Sequence, residues 1–161
     1  MAGGSLRQFH AWLPEIGLNI GLRLDGLSLL FALLITGMGL LIVLYAHHYL
    51  GTKDSVGKFH GTLMLFMAAM LGVVLSDNLL LLLVFWELTS ISSFLLVGYW
   101  NHRPDARAGA RMALAVTGGG GLALLAGFVL LGQIAGTYEI SAMAALAPQI
   151  QSDARYPVAL V

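Results

Sequence analysis

The 161-residue chain contains no cysteine, which excludes disulfides, thiolate metal sites and thiol chemistry. Charge is nearly as scarce. Asp, Glu, Lys and Arg make up 10% of the residues, where a soluble domain carries about 25%. The 8 Lys and Arg balance the 8 Asp and Glu, for a formal net charge of +0. No basic tract suits nucleic acid, and no polybasic run suits an anionic lipid surface. Residues 1–10 lack the apolar core of a signal peptide, so insertion is expected to fall to the helices themselves. In place of charge, 58% of the residues are hydrophobic, the composition of an integral membrane protein.

The apolar runs predict an all-α, polytopic transmembrane bundle of about four spans, a single membrane domain over 1–161. Residues 1–23 are mixed, broken by Trp12, Pro14 and Glu15, and read as an interfacial lead-in. The spans are expected at about 27–44, 59–75, 79–99 and 112–134. Asp25 precedes the first and is placed to cap it. Ser76-Asp77-Asn78 forms a turn expected to cap the third, with Asp77 at the helix start. Arg103-Pro104-Asp105 is a turn followed by a helix start. A more polar tail begins near Gly136-Thr137-Tyr138-Glu139, and a new apolar run begins at Tyr156.

Positive charge sets the expected orientation. Lys53, Lys58, Arg103, Arg107 and Arg111 fall in or beside the loops after spans one and three, whereas only Arg23 lies close to a span on the opposite side. The positive-inside rule places those loops in the cytoplasm and both termini outside. Tyr45, Tyr49, Tyr99 and Trp100 fall at the same cytoplasmic interface.

The third span, 79–99, carries the one carboxylate that lies well inside a span, Glu87. It sits about 12 Å along the helix, at 1.5 Å per residue. An acid at that depth costs roughly 2.5–3.5 kcal/mol on insertion scales. Burial raises a carboxyl pKa and a nearby cation lowers it, so an acid whose partner approaches and withdraws can relay protons. The alternative is a protonated acid hydrogen-bonded within the bundle. No lysine or arginine falls mid-span, so Glu87 either stays protonated or takes its cation from elsewhere. Thr89, Ser90, Ser92 and Ser93 follow it, with Ser90 one turn away. They line a hydrated path to the acid or serve as small residues for close packing. Trp86 is read as packing or a water barrier.

Gly118-Gly119-Gly120-Gly121 follows no strand and lacks a Lys-Ser/Thr ending, which opposes a phosphate loop and favours close helix packing, with or without local unwinding. His47, His48, His60 and His102 have no thiolate or carboxylate cluster to complete a metal site. They are better placed for proton collection at the surface. Met64, Met67 and Met70 read as core packing. No metal or cofactor is expected.

Leu24-Asp25-Gly26-Leu27-Ser28, Ser76-Asp77-Asn78-Leu79-Leu80-Leu81 and Phe85-Trp86-Glu87-Leu88-Thr89-Ser90 resemble, in order and spacing, the antiporter-like membrane subunits shared by respiratory complex I (chain 5-like) and Mrp-type Na+/H+ antiporters. The resemblance extends from about Leu13 to Tyr138 and is strongest to the A-type subunit of Mrp antiporters. Complex I relatives usually carry a Gly-Trp-Glu-Gly type of sequence at Trp86-Glu87, and an Arg and an Asp in the places of Gly118 and Gly121. The resemblance implies that Glu87 is the family's intramembrane glutamate, which works with a lysine on a later helix. It also implies that the chain is a truncated piece from the N-terminal region of a subunit with more than a dozen spans.

The expected function is part of a multisubunit monovalent cation (Na+)/proton antiporter in the cell inner (plasma) membrane. Glu87 would transfer protons or cations, supported by Trp86, Thr89 and Ser90. Its partners would be the lipid bilayer, other subunits of the complex, Na+ or another monovalent cation, and H+, with no nucleic acid. Two alternatives stand beside it. One is a non-redox, proton-translocating subunit of an NADH:quinone oxidoreductase or related hydrogenase. The other is a purely structural bundle.

Overall fold

A computed structural model describes residues 4–51 and 55–160; Lys53, one of the cations of the first loop, lies outside the described residues. The fold is mostly helical, with four helices long and apolar enough to cross a membrane: α1 (Gly26–Tyr49), α2 (Val56–Leu75), α3 (Leu79–Val97) and α4 (Pro104–Ala135). Three short helices follow: α5 (Ile140–Ala145), α6 (Ala147–Ser152) and α7 (Tyr156–Ala159). Leu27, Leu30, Leu33, Leu40 and Leu41 of α1 are exposed, as are Met112, Val116 and Leu122 of α4. Helices that are apolar all round suit a lipid or protein surround rather than water.

The lead-in is an antiparallel hairpin, where the sequence predicts only an irregular interfacial segment. Strand β1 (Leu6–Leu13) pairs with β2 (Leu18–Leu24) in the register Leu6↔Leu24, Phe9↔Gly21 and Leu13↔Leu18, with an irregularity between His10 and Leu13. A 3-10 turn, Pro14–Ile16, joins them, and Gly17 closes it at φ 76, a left-handed conformation that favours glycine. The alternation of Leu18, Ile20, Leu22 and Leu24 with Asn19, Gly21 and Arg23 is the period-two signal of a strand.

Each spanning helix starts and stops on identifiable chemistry. Asp25 caps α1 as expected: Leu27 N and Ser28 N donate to its carboxylate at 3.1 and 2.9 Å, while Asp25 N donates to Ser28 Oγ at 2.7 Å. For α3 the cap is Asn78, not Asp77; Leu80 N and Leu81 N donate to Asn78 Oδ1 at 3.0 and 3.1 Å. Asp77 serves a different helix. Its carboxylate accepts from Ser141 N at 3.1 Å and Ser141 Oγ at 2.6 Å, in the first turn of α5. Helix α4 begins at Pro104, which needs no N–H partner there, and ends at Gly136 with φ 70. The apolar stretch expected at 112–134 is therefore the later part of a longer helix that also carries Arg107 and Arg111.

Helix α3 sits between α2 and α4, and α1 packs on α2. A tightly covered glycine marks each seam. The Met67 side chain lies on Gly39 between α1 and α2, and the Phe85 ring lies on Gly72 between α2 and α3. Between α3 and α4 the glycine is Gly121, and the side chain on it is Glu87. Small residues let membrane helices approach closely, and two of these three seams are filled by apolar groups. The third holds a carboxylate.

The bundle has two unlike ends. At one, Asp77 N donates to Gly21 O at 2.8 Å and Leu79 N to Tyr138 O at 2.9 Å, so β2, the α2–α3 turn and the segment after α4 are tied together. At the other, the Tyr45 and Tyr49 rings stack with centroids 5.3 Å apart, Tyr49 lies 6.3 Å from Trp100, and Phe59 lies 5.5 Å from Tyr99. Amphipathic aromatics gathered at one level fit a headgroup interface.

Candidate intramembrane carboxylate site

Glu87 is the ninth residue of α3, near the middle of its 19 residues. The side chain is partly exposed and turns toward α4. Its Oε1 lies over Gly121 so closely that a Cβ there would overlap it and stand 3.0 Å from Cδ and 3.6 Å from Oε2. Among the described residues, no hydrogen bond or ion pair engages the Glu87 carboxylate. On α4 the cation nearest in sequence to Gly121 is Arg111, ten residues earlier, or about 15 Å along the axis.

Of the four consecutive glycines, Gly121 alone is in close contact. A Cβ on Gly118, Gly119 or Gly120 would meet nothing within 4 Å among the described residues. The helix runs through them without interruption, so they do not unwind it.

The neighbours of Glu87 on its own helix divide. Trp86 is 41% exposed, so its ring faces out of the described bundle rather than closing over the acid within it. Thr89 Oγ1 and Ser90 Oγ both donate to the Trp86 carbonyl, at 2.6 and 3.2 Å, and Ser92 Oγ donates to Leu88 O at 2.7 Å. These hydroxyl protons are held by the helix backbone, and what remains toward other groups is the oxygen lone pairs. Ser90 is buried, one turn beyond Glu87.

A second polar cluster lies at the hairpin end. Asn78, fully buried, donates to Gly17 O at 2.9 Å and to Glu139 Oε1 at 3.0 Å. Asn19 Nδ2 donates to the same carboxylate oxygen at 3.4 Å. In the sequence Glu139 is only part of a polar tail; no local pattern reveals a partner 61 residues away. Nearer the surface, Arg23 donates to Asp25, and the Ser28 N–H together with this guanidinium holds the Asp25 carboxyl down to about 2. His48 and His60 engage the carbonyls of Leu44 and Val56 through Nδ1. Among the described residues, no three His, Asp or Glu side chains converge as a metal site would require.

Four helices long and apolar enough to cross a membrane, with one carboxylate unbonded among the described residues in a helix seam, make this a polytopic membrane bundle. Residues 76–158 match the family described as NADH:quinone oxidoreductase/Mrp antiporter, TM, and residues 12–60 match complex I chain 5 N-terminus. The chain belongs to the NADH:quinone oxidoreductase/Mrp antiporter family of transmembrane proteins. It is 51% identical over 160 residues to the A/B subunit of a probable K(+)/H(+) antiporter of Rhizobium meliloti and 49% identical to the A1 subunit of the Na(+)/H(+) antiporter of Staphylococcus haemolyticus. Both matches cover 99% of this chain, but only 16% and 20% of those relatives. A chain in the Mrp complex of Dietzia sp. DQ12-45-1b superposes with a TM-score of 0.86 at 31% identity, over 96% of this chain and 17% of that one. The resemblance seen in the sequence is thereby shown, as is the likeness to the A-type Mrp subunit.

Proposed function

We propose that this chain forms part of a multisubunit monovalent cation/proton antiporter of the plasma membrane and contributes Glu87 to its ion path. The observation that carries the reading is the carboxylate itself. Glu87 lies midway along a membrane-length helix, and no hydrogen bond or ion pair among the described residues engages it. A protonated carboxyl tolerates that setting and a bare carboxylate does not, unless a cation approaches. Alternation between the two states is a proton transfer coupled to arrival of positive charge. The counter-charge would come from the larger assembly, since the chain matches at most about a fifth of the relatives named above.

The exchanged ion would be sodium or potassium, the ions in the relatives' names. Those names favour an antiporter over the complex I assembly suggested by the match at residues 12–60. Thr89 and Ser90 would support the path by offering lone pairs. Trp86 would pack outward against a neighbouring element. The charged loops around Lys58 and Arg107 would face the cytoplasm.

The test places this chain's residues in the corresponding segment of the Rhizobium meliloti relative and assays cation-driven proton exchange in the assembled complex. Glu87→Gln keeps the size of the side chain and removes its titration. Exchange should fall at least about a hundredfold, the scale of losing a proton-transfer group. Exchange at the parental rate in a fully assembled E87Q complex would end this reading.

A further inference from the structure

We infer that Gly121 is the positioning residue for Glu87: the missing side chain at 121 admits the carboxylate to the α3–α4 seam. This rests on the ion-path reading of Glu87. Gly121 is buried, and its Cα face is covered by the Glu87 carboxyl group. One residue earlier, a Cβ on Gly120 would meet nothing within 4 Å among the described residues. The two glycines cost α4 the same helix propensity relative to alanine. They differ in what a methyl group would strike.

The physical consequence is specific. Any Cβ at 121 overlaps Oε1, so Glu87 must leave its rotamer or α4 must move off α3. Two glycine-marked seams of this bundle close on the apolar groups Met67 and Phe85, where displacement changes packing alone. Displacement of Glu87 moves the titrating group relative to whatever charge it meets. A shift of about 1 Å at a reacting group can cost on the order of a hundredfold in rate. The carboxyl would also leave its place against the α4 backbone for surroundings of different solvation.

The experiment uses the assembled chimeric complex and compares Gly121→Ala with Gly120→Ala. Besides exchange, it reads the pH dependence of Glu87 labelling by a lipid-soluble carbodiimide, which attacks protonated carboxyl groups; the peptide is identified by mass and by its absence in E87Q. G121A should displace the labelling midpoint by about half a pH unit or more and lower exchange at least about tenfold. G120A should leave the labelling midpoint at its parental value. Coincident labelling profiles for G121A and the parent overturn the inference, whatever happens to exchange. If the G121A complex fails to assemble, Glu87→Asp is added, because the shorter acid withdraws from the added methyl group. Assembly regained in E87D/G121A supports the contact, and failure of the double variant overturns it. Parental exchange by E87Q would instead remove the transport reading and leave the labelling result standing on its own.

Discussion

Asn78 donates to Glu139 across 61 residues of chain while its other amide atom caps α3, so one buried side chain binds three segments together. Its Nδ2 reaches Gly17 O and Glu139 Oε1, and its Oδ1 accepts from Leu80 N and Leu81 N. Asn78→Ala removes all of these bonds: Gly17 O and the Leu80 and Leu81 N–H groups lose their Asn78 partner, and Glu139 Oε1 keeps only the longer bond from Asn19. The expected loss is about 2–4 kcal/mol, from a lost cap and unmet buried polar groups. Asn78→Asp should also destabilise, since it keeps the cap but sets a second carboxylate against Glu139. Combining N78D with E139Q should recover much of that loss, because Gln can donate where Glu cannot. Thermal midpoints of the assembled complex check this. Equal midpoints for N78D and N78D/E139Q would show that the two side chains do not meet.

Much of this architecture is legible along the chain, and the part that is not has a common cause. The Asp25 cap and the isolation of Glu87 depend on neighbours within one helix turn or on the apolar run itself. The bonds of Asn78 to Glu139 and of Asp77 to Ser141 join residues 61 and 64 apart, and nothing local announces them. Asp77 therefore reads as the cap of the helix it precedes, although it caps one much later. The hairpin has its signal in the alternation from Leu18 to Leu24, obscured because β1 is exposed throughout and has no regular alternation. The helix limits differ where charge begins: Arg107 and Arg111 lie outside an apolar span yet inside α4.

The Asp77–Ser141 pair gives a local prediction. Asp77 accepts both the backbone and hydroxyl hydrogens of Ser141, and α5 has no side-chain cap from Glu139. Asp77→Ala should fray α5, at a cost of about 1–2 kcal/mol. Ser141→Ala, which keeps the backbone bond, should cost about half as much. Hydrogen exchange over residues 140–145 should rise more in D77A than in S141A. Unchanged protection in D77A would mean that α5 does not depend on the Asp77 carboxylate.

Acid should weaken the start of α1. Asp25 is held down to about 2 by the Ser28 N–H and by Arg23, against an ordinary 3.8. A carboxylate whose folded value is depressed contributes stability above its unfolded value and loses it as pH falls through the folded one. The contribution is therefore complete above about pH 4 and fades between about 4 and 2. Asp25→Asn keeps an oxygen acceptor but cannot titrate. The difference in thermal midpoint between the parent and D25N complexes should be constant from about pH 7 to 5 and shrink below about pH 4. A difference that stays flat down to about pH 2 would show that Asp25 does not gain stability from ionisation.

Topology offers the last prediction, and this chain has no native cysteine to compete for the label. The hairpin and the aromatic cluster mark opposite ends of the bundle. Arg107 stands at the aromatic end, in the first turns of α4, where its guanidinium donates to Asn101 O at 2.9 Å. Positive charge near a span is retained on the cytoplasmic side during insertion. A cysteine replacing Gln8 should then react with an impermeant maleimide in intact cells, and one replacing Arg107 should react only after permeabilisation. Removing Arg107 subtracts one of several positive charges near that end, so Lys58, Arg103 and Arg111 keep the orientation signal in place. The reverse labelling pattern would place the hairpin, and with it the Asn78–Glu139 cluster, at the cytoplasmic end of the bundle.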